Sequence, residues 1–253
     1  MVVRVNKKEN VYFVLKVFFT IVVLLGIIAF LKNMLTGDME IVTVATIAIY
    51  VILIWLFFIL QKIFLVGYLK GNGVEITADQ FPEVYNTYTE MIQSLNIKRT
   101  PPLFILQQGG ALNAFAIRFS GKNYIAIYSD IFEIINSDID VVKFVIGHEL
   151  GHIKRKHMSK MFWTLLSSMV PFLSAAYSRS CEYTCDNIGH DLSENGSLSG
   201  LLVLAAGKKL YKQIDIDRYI ENSKKQNSFS VRFTGICFGH PFLPKRLLNV
   251  QGK

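Results

Sequence analysis

Cysteine is scarce in this chain, and its scarcity excludes a disulfide-stapled fold. Only three cysteines occur in 253 residues, Cys181, Cys185 and Cys237, and no two of them form a C-x-x-C pair. Because three is an odd number, a full disulfide framework is impossible. A reducing compartment for the globular part of the chain fits this usage best.

Charged residues are also few, at 18% of the chain against a usual fraction of about a quarter. The net charge is nevertheless +8. A basic balance by itself can indicate a nucleic-acid partner, but no nucleic-acid-binding motif accompanies it. Basic residues that flank membrane spans explain the charge more simply. We therefore expect no nucleic-acid partner.

Two long apolar runs lie near the start of the chain. Residues 11–31 carry one charge, Lys16, and residues 41–60 carry none. Each run has about the 20 residues that a helix needs to cross a bilayer. A signal peptide has a shorter apolar core of about 7–15 residues, and an uncharged run of this length argues against a buried hairpin. The sequence therefore predicts two retained transmembrane helices, with the lipid bilayer as a partner.

Basic residues predict the orientation of these helices. Four of them lie at the entry to the first run, Arg4, Lys7, Lys8 and Lys16, and two follow the exit of the second, Lys62 and Lys70. The connector holds Lys32 together with Asp38 and Glu40. The positive-inside rule then places both outer ends in the cytoplasm. We predict a multi-pass protein of the cell membrane, with an anchor at residues 1–66 and a cytosolic domain at residues 67–253.

The remainder of the chain predicts an α+β fold. A capping box at Thr77–Gln80 is expected to open a helix that continues to about Leu95. Three strands are expected, the last two as a hairpin: Leu103–Gln107, Phe115–Phe119 and Tyr124–Tyr128. The polar stretch 221–230 is predicted to be a loop. The fold class is thus two N-terminal transmembrane helices followed by a mostly helical domain with a small antiparallel β-sheet.

The most informative motif is H-E-L-G-H at residues 148–152. It lies within a run, residues 141–153, whose apolar residues recur at helical spacing. Because positions four apart share one face of a helix, His148 and His152 can point both imidazoles at one Zn²⁺. Glu149 would lie beside the metal as a general base.

Two histidines do not complete a zinc site, since catalytic zinc usually has three protein ligands and one position for water. His157 has the wrong spacing for the extended H-E-x-x-H-x-x-G-x-x-H pattern, and we interpret it as a solvated residue in a basic turn. Glu182 and Asp186 lie four apart on a later helix. Glu182 can bind the metal while Asp186 accepts an N–H from a ligating histidine. The alternative is that both are ordinary surface acids.

Taken in order, these motifs resemble those of the HtpX-like membrane zinc metallopeptidases, relatives of the CAAX prenyl proteases. Two spans and the capping box come first, followed by the N-A-F-A segment formed by Asn113, Ala114, Phe115 and Ala116. H-E-L-G-H, S-R-x-x-E-x-x-x-D at residues 178–186 and H-P-x-x-x-x-R at residues 240–246 complete the series. Each motif is weak alone, but their order along nearly the whole chain is specific.

The resemblance implies a zincin-type endopeptidase of the H-E-x-x-H…E kind. It implies one Zn²⁺ per chain, held by His148, His152 and Glu182, and polypeptide substrates. It also places His240 and Arg246 near the active site as catalytic candidates, with His240 contacting the substrate or the tetrahedral intermediate. A helix-cap or packing role is the alternative for His240.

The N-A-F-A segment is the candidate substrate-binding element. An extended substrate could pair with a free edge of its strand, a mode that recognises backbone more than side chains. That mode would suit unfolded or membrane proteins, as in the quality-control role of the family. An edge strand kept only for packing is equally consistent with the sequence.

The segment between the motif and the third ligand departs from the family, which often carries a longer hydrophobic hairpin here. The apolar residues 161–177 cannot cross the membrane once, because ligands of one metal ion must lie on the same side. We predict a bent core helix or an interfacial helix. Cys181 and Cys185 flank Glu182, but at about 100° per residue Cys181 lies off the Glu182 face, so thiolate ligands are not expected.

Two alternative functions keep part of this interpretation. A CAAX-type processing protease would use the same site, but its known architecture encloses a large chamber with many spans, which two spans cannot build. A membrane-bound binding or chaperone-like protein with a non-catalytic metal site would have no need of Glu149 as a base. Nothing in the sequence indicates an oligomeric state.

Overall fold

A computed structural model describes residues 2–36, 41–107 and 114–252 of the chain. The helices within these ranges are α1 (Lys7–Thr36), α2 (Ile41–Asn72), α3 (Pro82–Ser94), α4 (Ser129–Phe132), α5 (Ile139–Lys154), α6 (His157–Trp163), α7 (Leu173–Leu192), α8 (Glu194–Leu210), α9 (Ile216–Lys225), α10 (Phe229–Cys237) and α11 (Leu243–Val250). The strands are β1 (Val74–Glu75), β2 (Leu103–Leu106), β3 (Ala114–Phe119) and β4 (Lys122–Tyr128). The predicted α+β class is confirmed.

The first two helices are long and apolar enough to cross a membrane. Within the described ranges, the two stretches that meet this condition are Lys7–Met34 and Val42–Asn72. Hardly any of either stretch is buried against the rest of the chain, which excludes the buried helical hairpin. The two N-terminal transmembrane helices are therefore as predicted, and a membrane location follows from them.

The four strands form one sheet in the order β1-β2-β4-β3. The β3–β4 hairpin is confirmed, and its turn at Ser120 and Gly121 has positive φ at both positions, as a two-residue type I′ turn requires. The sheet is mixed rather than antiparallel, because β2 pairs in parallel with β4 across the hairpin. As a central strand, β4 buries four consecutive residues, Tyr124, Ile125, Ala126 and Ile127.

Two helix starts show how local chemistry sets the boundaries. Asp138 caps α5, since the backbone N–H of Val141 donates to its Oδ1 at 3.4 Å. The capping-box prediction for α3 is wrong by several residues. The Thr77 hydroxyl accepts from the Gln80 N–H at 3.2 Å and closes a turn ahead of the helix. The helix begins at Pro82, whose fixed φ suits the first helical position.

Helices α5 and α7 lie unusually close together because small residues line their contact. A Cβ atom added to Gly151 of α5 would lie 3.1 Å from the sulfur of Cys185 on α7, and one added to Gly147 would lie 3.1 Å from the Cα of Gly189. A larger residue at either glycine would force the helices apart. This close approach brings the polar face of α5 against that of α7.

Residues 161–177 form neither a span nor one continuous helix. Helix α6 ends at Trp163, a 3₁₀ turn covers Leu165–Met169, and α7 begins at Leu173 after Pro171. Six apolar side chains of this segment are exposed: Met161, Phe162, Trp163, Leu165, Met169 and Phe172. Of the two forms expected, the exposure of these side chains is typical of an interfacial segment rather than a core helix.

The loop predicted at residues 221–230 is wrong for most of its length. Helix α9 runs through Lys225 and α10 begins at Phe229. The apolar residues that hold α9 against the core lie earlier in it, and Ile220 is buried there. The polar residues that follow are the solvent-exposed end of that helix. Their polar composition alone led to the prediction of a loop.

Candidate metal centre

The H-E-x-x-H motif lies on α5 and faces α7, as its spacing predicts. His148 and Glu149 are buried, and His152 is partly exposed. Glu182 and Asp186 lie on the facing side of α7 and are buried at 3% and 0% exposure, so they are not surface acids. Predicted ligands from two helices thus meet at one place.

The carboxylate of Glu182 lies between the two histidines of the motif. His148 Nε2 is 3.5 Å from Glu182 Oε2, and His152 Nε2 is 3.4 Å from Glu182 Oε1. Two ligand atoms of a tetrahedral zinc ion with bonds of about 2.1 Å lie about 3.4 Å apart. Each of these two distances is therefore close to that expected between two zinc ligands, and imidazole and carboxylate are both groups that bind Zn²⁺.

Asp186 and Arg246 contact the predicted ligands and support their positions. Asp186 Oδ1 lies 3.0 Å from His148 Nδ1, which leaves Nε2 to face Glu182. Arg246 of α11 donates to both oxygens of Asp186, at 2.8 and 2.6 Å. Its Nη1 also lies 3.4 Å from Glu182 Oε2. The buried guanidinium thus pairs with both carboxylates, and its N–H groups are directed at them.

The charges of this cluster determine which groups carry protons. Burial lowers the pKa of His148, but its hydrogen bonds to Asp186 and Glu182 outweigh that effect and raise the pKa to about 10. Burial raises the pKa of Asp186, yet the charge and hydrogen bonds of Arg246 bring it below its usual range. The hydrogen bonds from the histidines likewise hold the pKa of Glu182 well below the usual value. Without a metal, a protonated His148 lies between two ionised carboxylates.

His240 lies at the mouth of the site. Its Nδ1 is 3.2 Å from Glu182 Oε2, while 75% of its side chain remains exposed. The hydrogen bond to Glu182 raises the pKa of His240. This imidazole contacts a predicted metal ligand and also faces solvent, which is the position that a group contacting substrate requires.

A cleft of about 610 Å³ connects these groups to β3. Its lining includes Ala114, Phe115 and Ala116 of the N-A-F-A segment as well as His148, Glu149, His152, Glu182, His240 and Arg246. Asn113, the first residue of that segment, lies outside the described residues. Three of the four candidate substrate-binding residues are therefore neighbours of the candidate metal ligands.

His157 is the site residue that sequence reasoning missed. It is 1% exposed, and its Nδ1 lies 3.1 Å from Nδ1 of His152, so its interpretation as a solvated residue is wrong. Lys156 adopts the left-handed conformation at φ 57° and turns the chain back toward α5. Five residues after His152, a histidine that follows such a turn can reach the face of the helix that it has just left.

Cys185 lies close to the same histidines. A ligand atom of each of His148, His152 and Cys185 lies within 4.8 Å of the others. The sulfur is also 3.7 Å from Nδ1 of His157, the same atom that lies 3.1 Å from Nδ1 of His152. Burial raises the pKa of the Cys185 thiol well above its usual value, which disfavours the thiolate that metal binding requires.

Comparisons with known proteins reach the part of this site that lies on α5. Residues 78–173 match the model of Peptidase family M48, a range that contains the H-E-x-x-H motif. The crystal structure of S. mikatae Ste24p matches with a TM-score of 0.50 and 14% identity, over 98% of this chain and 67% of that one. At this identity the likeness shows the fold alone. No curated protein matches the chain. Residues 78–173 are thus similar to the M48 peptidases, and the resemblance stated from the motifs is confirmed.

Proposed function

We propose that this protein is a membrane-anchored zinc metalloendopeptidase. One Zn²⁺ per chain would be held by His148, His152 and Glu182. The observation that carries the proposal is the position of the Glu182 carboxylate, at 3.5 and 3.4 Å from the Nε2 atoms of the two histidines. Asp186 would fix the ring of His148, because a carboxylate bonded to Nδ1 leaves Nε2 free as the ligand atom.

The chemistry proposed for the cleft is hydrolysis of a peptide bond. Bound Zn²⁺ would polarise the scissile carbonyl and lower the pKa of a water molecule toward 7. Glu149, which lines the cleft beside both histidines, takes a proton from the attacking water and returns it to the leaving amine. His240 is placed to donate a hydrogen bond to the oxyanion from the mouth of the cleft. Arg246 acts through Asp186 and Glu182, which it contacts directly, and is therefore a positioning residue.

The shape of the cleft supports an extended polypeptide as the substrate. Strand β3 forms one wall and pairs with β4 on one side. No other strand of the described residues pairs with it. A substrate that adds a strand to this edge would be recognised through its backbone. Unfolded proteins and segments of membrane proteins present backbone in this form, so protein quality control is the role that we propose.

The anchor supports a cytoplasmic site. Buried Glu9, at the start of α1, contacts Arg155 and Lys160 beside the metal centre. The site therefore lies on the side of the membrane from which α1 starts. Basic residues flank the outer ends of both spans, which favours the cytoplasm for that side. We accordingly propose residues 1–66 as the anchor and 67–253 as a cytosolic peptidase domain.

A chelator experiment tests the function. The full-length protein in lipid nanodiscs is expected to cleave unfolded casein, to lose this activity with 1,10-phenanthroline, and to regain it with one equivalent of Zn²⁺. Glu182→Ala should lose zinc on dialysis against the chelator, because one of three protein ligands is gone. The exposed Glu221, paired with Lys225, provides the control Glu221→Ala, which should keep its zinc. Cleavage that the chelator does not affect would contradict the proposal.

Zinc affinity is expected to rise with pH. His148 has its pKa raised to about 10 in the metal-free protein, so it is protonated at neutral pH and must lose a proton to bind a metal. One displaced proton makes the affinity rise about tenfold per pH unit between pH 6 and 8. Calorimetric titration in buffers of different ionisation enthalpy measures the released proton.

The matched control for this titration is His190, on the same helix as Asp186 but bonded to Ser197 at 3.0 Å. His190→Asn should leave the pH dependence unchanged. An affinity that stays constant from pH 6 to 8 would contradict the proton displacement at His148.

A further inference from the structure

A second buried polar network lies behind the metal centre. Its carboxylate is Glu9, which belongs to α1 and is 0% exposed. Glu9 Oε1 accepts hydrogen bonds from Nε and Nη2 of Arg155, at 3.0 and 2.9 Å. Lys160 Nζ and His157 Nε2 lie 3.4 and 3.2 Å from the same oxygen. A charged residue at the start of the first membrane helix is therefore held inside the peptidase domain.

His157 connects this network to a predicted metal ligand. Its Nδ1 lies 3.1 Å from His152 Nδ1, and its Nε2 lies on the Glu9 side of the ring. Two ring nitrogens at this distance need one hydrogen between them. If His152 binds the metal through Nε2, its Nδ1 carries a hydrogen and donates it to His157. His157 then keeps its own hydrogen on Nε2, where it faces the carboxylate.

The contact between His157 and Glu9 is close but not aligned. His157 Nε2 and Glu9 Oε2 are buried atoms without a hydrogen-bond partner among the described residues. With its hydrogen on Nε2, His157 is a donor there, and Oε2 of Glu9 is an acceptor. Because Nε2 already lies 3.2 Å from the other oxygen of Glu9, a small rotation of the ring or carboxylate joins them.

We propose that His157 and Glu9 are positioning residues for His152, so that the first membrane helix orients a ligand of the metal centre. The two histidines of the motif would then be supported differently. Nδ1 of His148 contacts a carboxylate directly, that of Asp186. Nδ1 of His152 instead contacts the imidazole of His157, which in turn contacts the carboxylate of Glu9. The inference rests on the proposed function for the identity of His152 as a ligand. It adds that the geometry of the metal centre depends on Glu9 of the first membrane helix.

The test is metal affinity of the full-length protein in nanodiscs, measured by chelator competition, with the visible absorption spectrum of the Co²⁺ form. His157→Leu should weaken binding about 10–100-fold, the usual effect of removing a partner of a metal-ligating histidine, and shift the Co²⁺ bands. His157→Gln, whose amide oxygen can accept from His152 Nδ1, should retain most of the affinity. Glu9→Gln should weaken binding, and adding it to His157→Leu should cost little more.

Asp191 provides the matched control, because its ion pair with Arg4 also joins the N-terminal segment to α7 without reaching a predicted ligand. Asp191→Asn should leave affinity and spectrum unchanged. A packing role for His157 predicts that leucine and glutamine behave alike, so equal effects of the two would overturn the proposal. Wild-type affinity and spectrum in His157→Leu and Glu9→Gln would also overturn it, with the proposed zinc site intact. If instead His152→Ala binds metal as tightly as the wild type, the proposed function fails and this inference fails with it.

Discussion

Replacing Glu149 by glutamine is expected to lower kcat for cleavage of unfolded casein by at least about a hundredfold, the low end for loss of a general base. Glutamine has nearly the same shape, so the cleft keeps its volume, but its amide cannot take a proton from water. The three predicted ligands are untouched. Zinc content should therefore stay at the wild-type level, and KM should change little.

Steady-state kinetics together with metal analysis of the same preparation measure both quantities. Glu194 lies in the first turn of α8, away from the lining of the cleft, and Glu194→Gln is the matched control. Cleavage by Glu149→Gln at near the wild-type rate would refute its assignment as the base. A loss of zinc along with activity would instead indicate a structural role at the metal.

Replacing Arg246 by methionine is expected to destabilise the protein by roughly 3–5 kcal/mol, the usual cost of leaving a buried charge unpaired. Arg246 is 6% exposed and donates two hydrogen bonds to Asp186, with Glu182 3.4 Å away. Methionine fills much of the same volume but leaves two buried carboxylates with protonated His148 as the one remaining cation between them. In the metal-free protein, thermal unfolding should move down by roughly 6–20 °C for a domain of this size.

An exposed arginine gives the matched comparison. Arg218 pairs with Asp215 at 3.4 Å, and its side chain is 84% exposed. Arg218→Met should change the melting temperature little, because exposed ion pairs contribute little to stability. Arg246→Lys should fall between, since an ammonium cannot make both hydrogen bonds to Asp186. Equal melting temperatures for Arg246→Met and Arg218→Met would show that the buried cluster does not need its cation.

Much of the candidate site could be predicted from the sequence because it depends on helical spacing. His148 and His152 share a face of α5, and Glu182 and Asp186 share a face of α7, whatever the rest of the fold does. The two apolar spans and the β3–β4 hairpin are likewise local patterns. Predictions of this kind need no knowledge of which elements meet.

The parts that failed depend on contacts between distant residues or on one backbone torsion. The burial of His157 follows from the positive φ of Lys156, which side-chain composition does not reveal. Glu9 lies 146 residues before Arg155, so no local sequence pattern indicates their contact. The parallel pairing of β2 with β4 is also a tertiary choice, since a hairpin fixes only the pairing of its own two strands.

The exposed apolar side chains of residues 161–177 continue into aromatic residues of α10. Phe172 contacts Phe233 of α10 edge-on at 6.5 Å, and Phe233 stacks on Phe229 at 5.9 Å. Phe229 is 82% exposed. Aromatic side chains at such positions suit the boundary between lipid and water. The cleft would then open close to the surface of the bilayer, where a segment leaving the membrane first becomes accessible.

The arginine in α11 also has a consequence for biosynthesis. A ribosome delivers the H-E-x-x-H motif and both acids of α7 well before it delivers Arg246, 60 residues after Asp186. A nascent chain at that stage holds both carboxylates of α7 without Arg246, which contacts them in the folded protein. The complete cluster of these three side chains therefore forms only after α11 has been synthesised and has docked against α7.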